Sequence, residues 1–231
     1  MATLKNLLMI GGGRMAQIRI NFARQHEIFN ILGVIDPLAT TRDTISEMDL
    51  QAFADLEECG SVLDKADGFW ISSMTSTHGP WIKTLSDYNK PIFVEKPLTD
   101  TLEQTMACID ICGSKSIPLH TGWMRRSDPI LVEFAKKVQG MDWNHMLFID
   151  RDNPIPTNSQ LLNCGSFIQD MSGHAINFLL LLTEGETPYK VLASATPVYQ
   201  TGVVDHCELT FFYKTGTKTR TVKFDISRKS P

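Results

Sequence analysis

Several groups of residues in this chain have the types and spacing that chemistry requires. Gly11-Gly12-Gly13-Arg14-Met15-Ala16 fits the pattern Gly-x-Gly-x-x-Ala. In that pattern the first glycine permits a tight turn, the second lets backbone approach a pyrophosphate, and a small third residue lets a helix pack close to a strand. A phosphate placed there would meet the free N–H groups and the positive dipole end of a helix. Asp36 follows at the end of a second apolar run, where a carboxylate grips an adenosine ribose. A carboxylate in that place repels a 2′-phosphate, so the pattern favours NAD over NADP; Arg42 is near enough to keep NADP open. The bland alternative is a glycine turn with no ligand and an aspartate that caps a loop.

Glu95-Lys96-Pro97 comes directly after another apolar run. A lysine at the carboxyl end of a parallel strand points toward the crevice where ligands of such sheets bind, and there it can exchange protons with a substrate hydroxyl. On its own this is a weak signal, since most lysines are simply solvated. Asp170 and His174 stand four apart in an expected helix. That spacing puts both on one face, close enough for the carboxylate to orient the imidazole, and a histidine suits general acid–base work. Gly173 beside it costs about 1 kcal/mol relative to alanine inside a helix. Close approach by a ligand or another backbone is one reason to tolerate it. A helix-surface pair with a packing glycine is the equal alternative.

The elements that must position these residues follow from apolar periodicity. Leu7–Ile10 predicts a buried strand ending at the glycines, followed by a helix with Met15, Ile18 and Phe22 at helical spacing. Further strands are predicted over 28–35, 69–72, 91–95 and 117–123, with a helix carrying Trp81, Leu85 and Tyr88. Another helix, carrying Leu102, Met106 and Ile109, would start from an Asp100/Glu103 capping box. Strand–helix alternation of this kind means a parallel sheet with crossover helices, an α/β doubly wound arrangement.

After Trp123 the character changes. Asp128-Pro129 is a helix start leading through Leu131, Phe134 and Val138, with Pro at the first helical position. A strand over 146–150 and a long apolar helix over 167–182 come next. Strands over 189–199, 203–213 and 219–226 then form an antiparallel meander, with a hairpin turn at Lys214-Thr215-Gly216-Thr217. The expected organisation is a dinucleotide-binding domain at 1–123 and an α+β domain with an open, incomplete antiparallel sheet at 124–231. The last strand is expected to leave an uncovered edge, as in a fragment, a shortened paralogue or a chain completed by a partner.

Composition narrows the field of partners. The 231 residues carry a formal net charge of −4, with acidic and basic residues interleaved. Nucleic acid and anionic membrane call for a concentrated basic surface and are therefore excluded as expectations. No run approaches the roughly 20 apolar residues that span a bilayer, and the N-terminal apolar run is too short for a signal peptide; the expected location is cytoplasmic. Five scattered cysteines make no disulfide framework. Cys108 and Cys112 have helical i,i+4 spacing but no second pair, so packing thiols are expected rather than a metal site. Small molecules remain.

Taken in order, Gly11 to Ala16, Thr75-Ser76-Thr77-His78, Glu95-Lys96-Pro97, Arg125-Arg126-Ser127-Asp128-Pro129 and Asp170 to His174 resemble the glucose-fructose oxidoreductase/inositol dehydrogenase/MocA family. The likeness runs along nearly the whole chain and is strongest to the myo-inositol dehydrogenase branch. It implies a Rossmann domain followed by an α+β domain whose open sheet mediates homo-oligomers. It also implies NAD(H)-dependent hydride transfer to or from a secondary alcohol of a cyclic polyol or sugar.

Position by position, the resemblance makes Lys96, Asp170 and His174 catalytic. His174 would take the alcohol proton, Asp170 would orient it, and Lys96 would polarise the oxygen. Gly11, Gly13, Arg14, Met15, Ala16, Asp36, Ser73, Met74, Thr75, His78, Glu95 and Lys96 would lie along the cofactor. Arg126, Asn153 and Asn177 would face substrate, and no metal is implied. The Lys96–Pro97 bond is expected to be cis. Where the family commonly has His-Asp-x-Asp, this chain has His174-Ala175-Ile176-Asn177, which removes a charged acceptor for a polyol hydroxyl. Relatives also run substantially longer. A second reading therefore stays open: a dinucleotide-binding protein with impaired or no turnover, or a partner subunit.

Overall fold

The computed structural model describes residues 4–151, 171–197 and 204–227. Asn153 and Asp170 lie outside the described residues, as do the start of the expected 167–182 helix and the end of the expected 189–199 strand. The chain divides into two compact units, Met1–Gly122 and Trp123–Pro231.

The first unit alternates strands and helices: β1 (Lys5–Ile10), α1 (Arg14–Gln25), β2 (Phe29–Ile35), α2 (Ala39–Glu47), β3 (Ala52–Phe53), α3 (Leu56–Cys59), α4 (Ser61–Lys65), β4 (Gly68–Ile71), α5 (Thr75–Leu85), β5 (Ile92–Val94), α6 (Leu102–Ser114) and β6 (Leu119–Thr121). The six strands lie in the order β3-β2-β1-β4-β5-β6, and every pairing is parallel. Helices therefore cover both faces, and the strands read as continuous apolar runs. Successive residues of β1 feed opposite cores, as strand pleating requires. Leu8 and Ile10 pack with Phe69, Ile71, Ile82 and Val94, while Met9 packs with Ala16, Ile20, Val34 and Ile45.

The helices differ from expectation in which face they bury. In α1 the buried residues are Ala16, Ile20 and Ala23, while Met15, Ile18 and Phe22 are exposed. In α6 the inward residues are Cys108 and Cys112, while Leu102, Met106 and Ile109 face outward. The reason is geometric: a helix lying close on a sheet takes small side chains at the contact, and the bulkier apolar residues are left outside. The α6 cap is Thr101, whose hydroxyl accepts from Gln104 N at 3.2 Å, rather than Asp100.

The second unit contains α7 (Pro129–Gln139), β7 (His145–Arg151), α8 (Gly173–Leu182), β8 (Lys190–Thr196), β9 (His206–Thr215) and β10 (Lys218–Ser227). The Asp128 carboxylate caps α7 by accepting from Ile130 N and Leu131 N. Its sheet runs β7-β10-β9-β8. β8, β9 and β10 form the antiparallel meander, with Gly216 at φ +63° in the hairpin turn. β7, however, pairs with β10 in parallel, so the open sheet is mixed rather than antiparallel. β8, β9 and β10 follow one another and alternate in polarity; among the described residues α8, β8 and β9 separate β7 from β10, which leaves its direction free. Ala175 and Leu179 of α8 pack on Phe211, Tyr213, Val222 and Phe224, whereas every residue of β8 is exposed. Among the described residues no helix is long and apolar enough to cross a membrane.

Candidate functional site

In the first sheet the order reverses beside β1: the chain leaves β1 toward β2 on one side, and β4 continues toward β5 on the other. All strands being parallel, the residues after β1, β2, β4 and β5 emerge on one edge, the place where open α/β sheets bind ligands. Gly11 closes that edge tightly. It sits at φ +88°, and a Cβ there would lie 2.6 Å from Ser73 N and 2.7 Å from Ser73 Cα. Only glycine allows both that backbone conformation and that approach. A Cβ on Gly12 would lie 2.8 Å from Thr41 Cγ2, so this second glycine lets α2 come close.

Asp36 is buried and locks the turn. Its two oxygens accept from Gly12 N at 2.8 Å and Leu38 N at 2.9 Å. A carboxylate with about four acceptor positions keeps capacity after these two bonds, which is what gripping ribose hydroxyls would need. Arg42 donates to the carbonyls of Asp36 and Pro37, each at 2.8 Å, and so braces the same rim.

Around this turn lies a cavity of about 600 Å³ whose lining includes Gly11, Gly13, Arg14, Met15, Asp36, Asp55, Ser72 and Ser73, with Met74, Thr77 and Trp81 on α5 and the residues before it. That volume falls within the range of small-molecule and cofactor sites. A Cβ on Gly13 would meet nothing within 4 Å, leaving backbone open toward the cavity at the N-terminus of α1. Ser72 Oγ is buried with no hydrogen-bond partner among the described residues. An open backbone cradle, an unsatisfied hydroxyl and a carboxylate with spare acceptor capacity fit a dinucleotide.

Several expected cofactor residues stand elsewhere. Ala16 is fully buried in the core beneath α1, and Thr75 opens α5. His78 is buried as well; its Nδ1 faces Pro97 O at 2.9 Å and Leu98 O at 3.2 Å, and its Nε2 faces Ser73 O at 3.0 Å. Glu95, at the end of β5, accepts from Arg19 Nε of α1 at 2.9 Å, a pair mostly withdrawn from solvent. Lys96 is half-buried, and the Lys96–Pro97 bond is cis.

In the second unit His174 lies in the first turn of α8 and meets Trp123 edge to face, with ring centroids 5.5 Å apart. Gly173 makes this possible, since a Cβ there would lie 2.7 Å from Trp123 Cη2. The close approach at Gly173 is thus made by an indole rather than by a ligand or another backbone, which is the packing-glycine alternative. Asn177 Oδ1, one turn on, is buried and has no hydrogen-bond partner among the described residues. Arg126 is exposed in a short 3-10 turn, while Arg125 pairs with Asp150 at 2.6 Å.

Sequence reasoning passed over Arg19, Ser72, Thr77 and Trp123. Arg19 and Glu95 are 76 residues apart, a pairing that no local pattern announces. Ser73 and Thr77 share a hydroxyl–hydroxyl bond of 2.7 Å, and their i,i+4 spacing was a readable signal. Among the described residues no group of His, Cys, Asp and Glu could hold a metal ion. Cys59, Cys108, Cys112 and Cys207 are buried free thiols.

Residues 5–122 match the family model of the Gfo/Idh/MocA oxidoreductases, described as an oxidoreductase family with an NAD-binding Rossmann fold. The chain belongs to this family. It is 26% identical over 195 residues to the rhizopine catabolism protein MocA of Rhizobium meliloti, covering 81% of this chain and 60% of that protein. It is 30% identical over 111 residues to scyllo-inositol 2-dehydrogenase (NAD(+)) of Bacillus subtilis, covering 47% of this chain and 32% of that protein. The chain thus spans no more than about 60% of the length of these curated relatives. A myo-inositol dehydrogenase from Corynebacterium glutamicum has a similar fold, with a TM-score of 0.84 at 21% identity over 99% of this chain and 69% of that one.

Proposed function

We propose that this chain is an NAD(H)-dependent oxidoreductase acting on a secondary alcohol of a cyclic polyol or sugar of the inositol type. The observation that carries the reading is the cavity at the sheet reversal, where the Gly11–Gly13 backbone, the Asp36 carboxylate and the unsatisfied Ser72 hydroxyl line one space. NAD, when bound, supplies the hydride acceptor. Arg14 and the α1 N-terminus hold its pyrophosphate and Asp36 a ribose, which favours NAD over NADP. Lys96 polarises the substrate oxygen, His174 takes the hydroxyl proton, and Asp170 orients His174. Arg126, Asn153 and Asn177 bond the remaining hydroxyls. In this reading 1–123 is the dinucleotide-binding domain and 124–231 the substrate and assembly domain. The protein works in the cytoplasm as a homo-oligomer joined through the second sheet, on which Leu147, Ile149, Val191 and Leu192 are exposed.

A second reading, a dinucleotide-binding protein without turnover, is favoured by Ala175 and Asn177, where relatives commonly carry carboxylates. Titration of protein fluorescence with NADH and NADPH, then NAD reduction by a panel of inositols and aldoses, separates the two. The dehydrogenase reading expects NADH to bind more tightly and at least one polyol to reduce NAD, with turnover lost in Lys96→Ala and His174→Ala. Binding without reduction across the panel supports the second reading. Equal or tighter NADPH binding overturns the assignment to Asp36.

A further inference from the structure

We propose that His78 is a positioning residue that clamps the cofactor-side loop to the lysine loop, and that its two ring nitrogens serve the two loops separately. The inference rests on the proposed roles of Ser73 and Lys96 but concerns a side chain that lines neither. His78 lies on α5 at 1% exposure and is absent from the cavity wall. Its Nε2 faces the carbonyl of Ser73 at 3.0 Å, and Ser73 lines the cavity. Its Nδ1 faces the carbonyls of Pro97 and Leu98 at 2.9 and 3.2 Å, directly after Lys96 and the cis bond.

Carbonyl oxygens only accept, so a ring nitrogen bonds one of them only through its N–H. The proposed clamp is therefore the doubly protonated ring, which donates from Nε2 to Ser73 O and from Nδ1 to Pro97 O. The loops it joins follow β4 and β5, neighbouring strands whose own ladder stops short of Ser73 and of Pro97. Beside the ring, α5 packs on the lysine loop at ordinary contact distance, a Cβ at Gly79 lying 3.6 Å from Thr99 Cγ2. Thr99 in turn donates to Thr101 O at 2.9 Å, which secures the far end of the lysine loop. The imidazole joins the Ser73 side to the Pro97 side. A buried carbonyl deprived of its donor loses roughly the factor of 5–30 in equilibrium that a 1–2 kcal/mol penalty represents, and each loop can be released by itself.

Two near-isosteric variants cut the clamp on opposite sides. In His78→Asn the amide nitrogen takes the place of Nδ1 and keeps the Pro97–Leu98 side. In His78→Gln it takes the place of Nε2 and keeps the Ser73 side. The experiment measures NADH affinity by fluorescence and, separately, the rate at which Lys96 is reductively methylated, read by peptide mass spectrometry. Thermal melting shows that each variant is folded. The clamp predicts a crossed pattern. Gln leaves NADH affinity within about twofold and changes the Lys96 labelling rate about tenfold; Asn leaves Lys96 labelling unchanged and weakens NADH about tenfold.

Equal changes in both readouts for both variants, as general loosening would give, overturn the proposal, and so do two unchanged readouts. Should the parent chain fail to bind NADH, the cofactor reading fails by itself. The Lys96 rates in Gln against Asn then still decide the clamp.

Discussion

Alanine at Gly11 and alanine at Gly13 should fail in different ways, although the two positions are two residues apart in one turn. At Gly11 the new Cβ would sit 2.6–2.9 Å from backbone atoms of Ser72 and Ser73, in a residue held at φ +88°. Holding a non-glycine residue in a sparsely allowed backbone region costs about 1–3 kcal/mol, and forcing extra volume against packed atoms costs a further 1–3 or so. Neither contact is with a flexible side chain that could swing aside. The expected loss of about 2–6 kcal/mol is a large share of typical domain stability. At about 2–4 °C per kcal/mol, the melting temperature should fall by roughly 4–24 °C.

At Gly13 the backbone is ordinary, at φ −65° and ψ −177°, and the methyl meets nothing within 4 Å. Gly13 is the α1 N-cap, where alanine is worse than glycine. Lower entropy of the unfolded chain offsets this, so stability should stay within about 0.5 kcal/mol. The methyl projects into the space proposed for the pyrophosphate, and NADH affinity should fall at least about tenfold, or 1.4 kcal/mol. Differential scanning fluorimetry and NADH titration on both variants read the two effects. A Gly13→Ala protein that binds NADH like its parent removes the turn from the cofactor site. A Gly11→Ala protein that melts like its parent refutes the close-approach argument.

Other outcomes follow from the packing. Gly173→Ala should cost about 1–3 kcal/mol by overpacking against Trp123, and Trp123→Leu in the same chain should recover most of it; a double variant no more stable than Gly173→Ala would contradict the contact. The Arg151 hydrogen bond, supported by His206 and opposed by burial, holds the Asp225 carboxyl below the usual carboxylate range. A folded value below the unfolded value of about 3.9 adds stability that is present above that pH and lost as pH falls through the folded value. Acid melting should therefore steepen below about pH 4, and Asp225→Asn should flatten that part of the profile; an unchanged acid limb would contradict the pairing. Burial pushes the Cys59 and Cys207 thiols up to about 11, and those of Cys108 and Cys112 upward as well. Thiolate is the reactive form, so these four cysteines should react with a disulfide reagent only on unfolding in urea, and rapid native-state labelling of any of them would contradict their burial.

What was legible in the sequence was the part governed by local rules. The strand runs from Leu7, Phe69 and Pro91, the glycine turn, the Asp128-Pro129 helix start and the Gly216 hairpin all follow from neighbours in sequence, and the structure contains each. For α1 and α6 hydrophobicity alone favours Phe22 and Met106 inside, whereas close helix–sheet contact favours Ala16, Ala23, Cys108 and Cys112. The parallel β7–β10 pairing depends on a long-range topology that no short window encodes. Around the cavity, Gly11, Gly13 and Asp36 follow strand ends and were therefore legible from local pattern, while Ser73 came only from the family resemblance. The Arg19–Glu95 pair, the His78 contacts and the indole over Gly173 were not legible. Each joins residues far apart in the chain, so type and spacing say nothing of them.

In the proposed reaction a hydride passes between an alcohol carbon and the nicotinamide, with Lys96 and His174 acting on the hydroxyl. Incubating the protein with NAD and inositols deuterated at each carbinol carbon, then reading the reduced cofactor by mass spectrometry, tests this directly. The parent chain should put deuterium in the cofactor, and His174→Asn and Lys96→Ala should put none. Deuterium transfer that survives both substitutions, or an unlabelled cofactor reduced at the same rate, would contradict it.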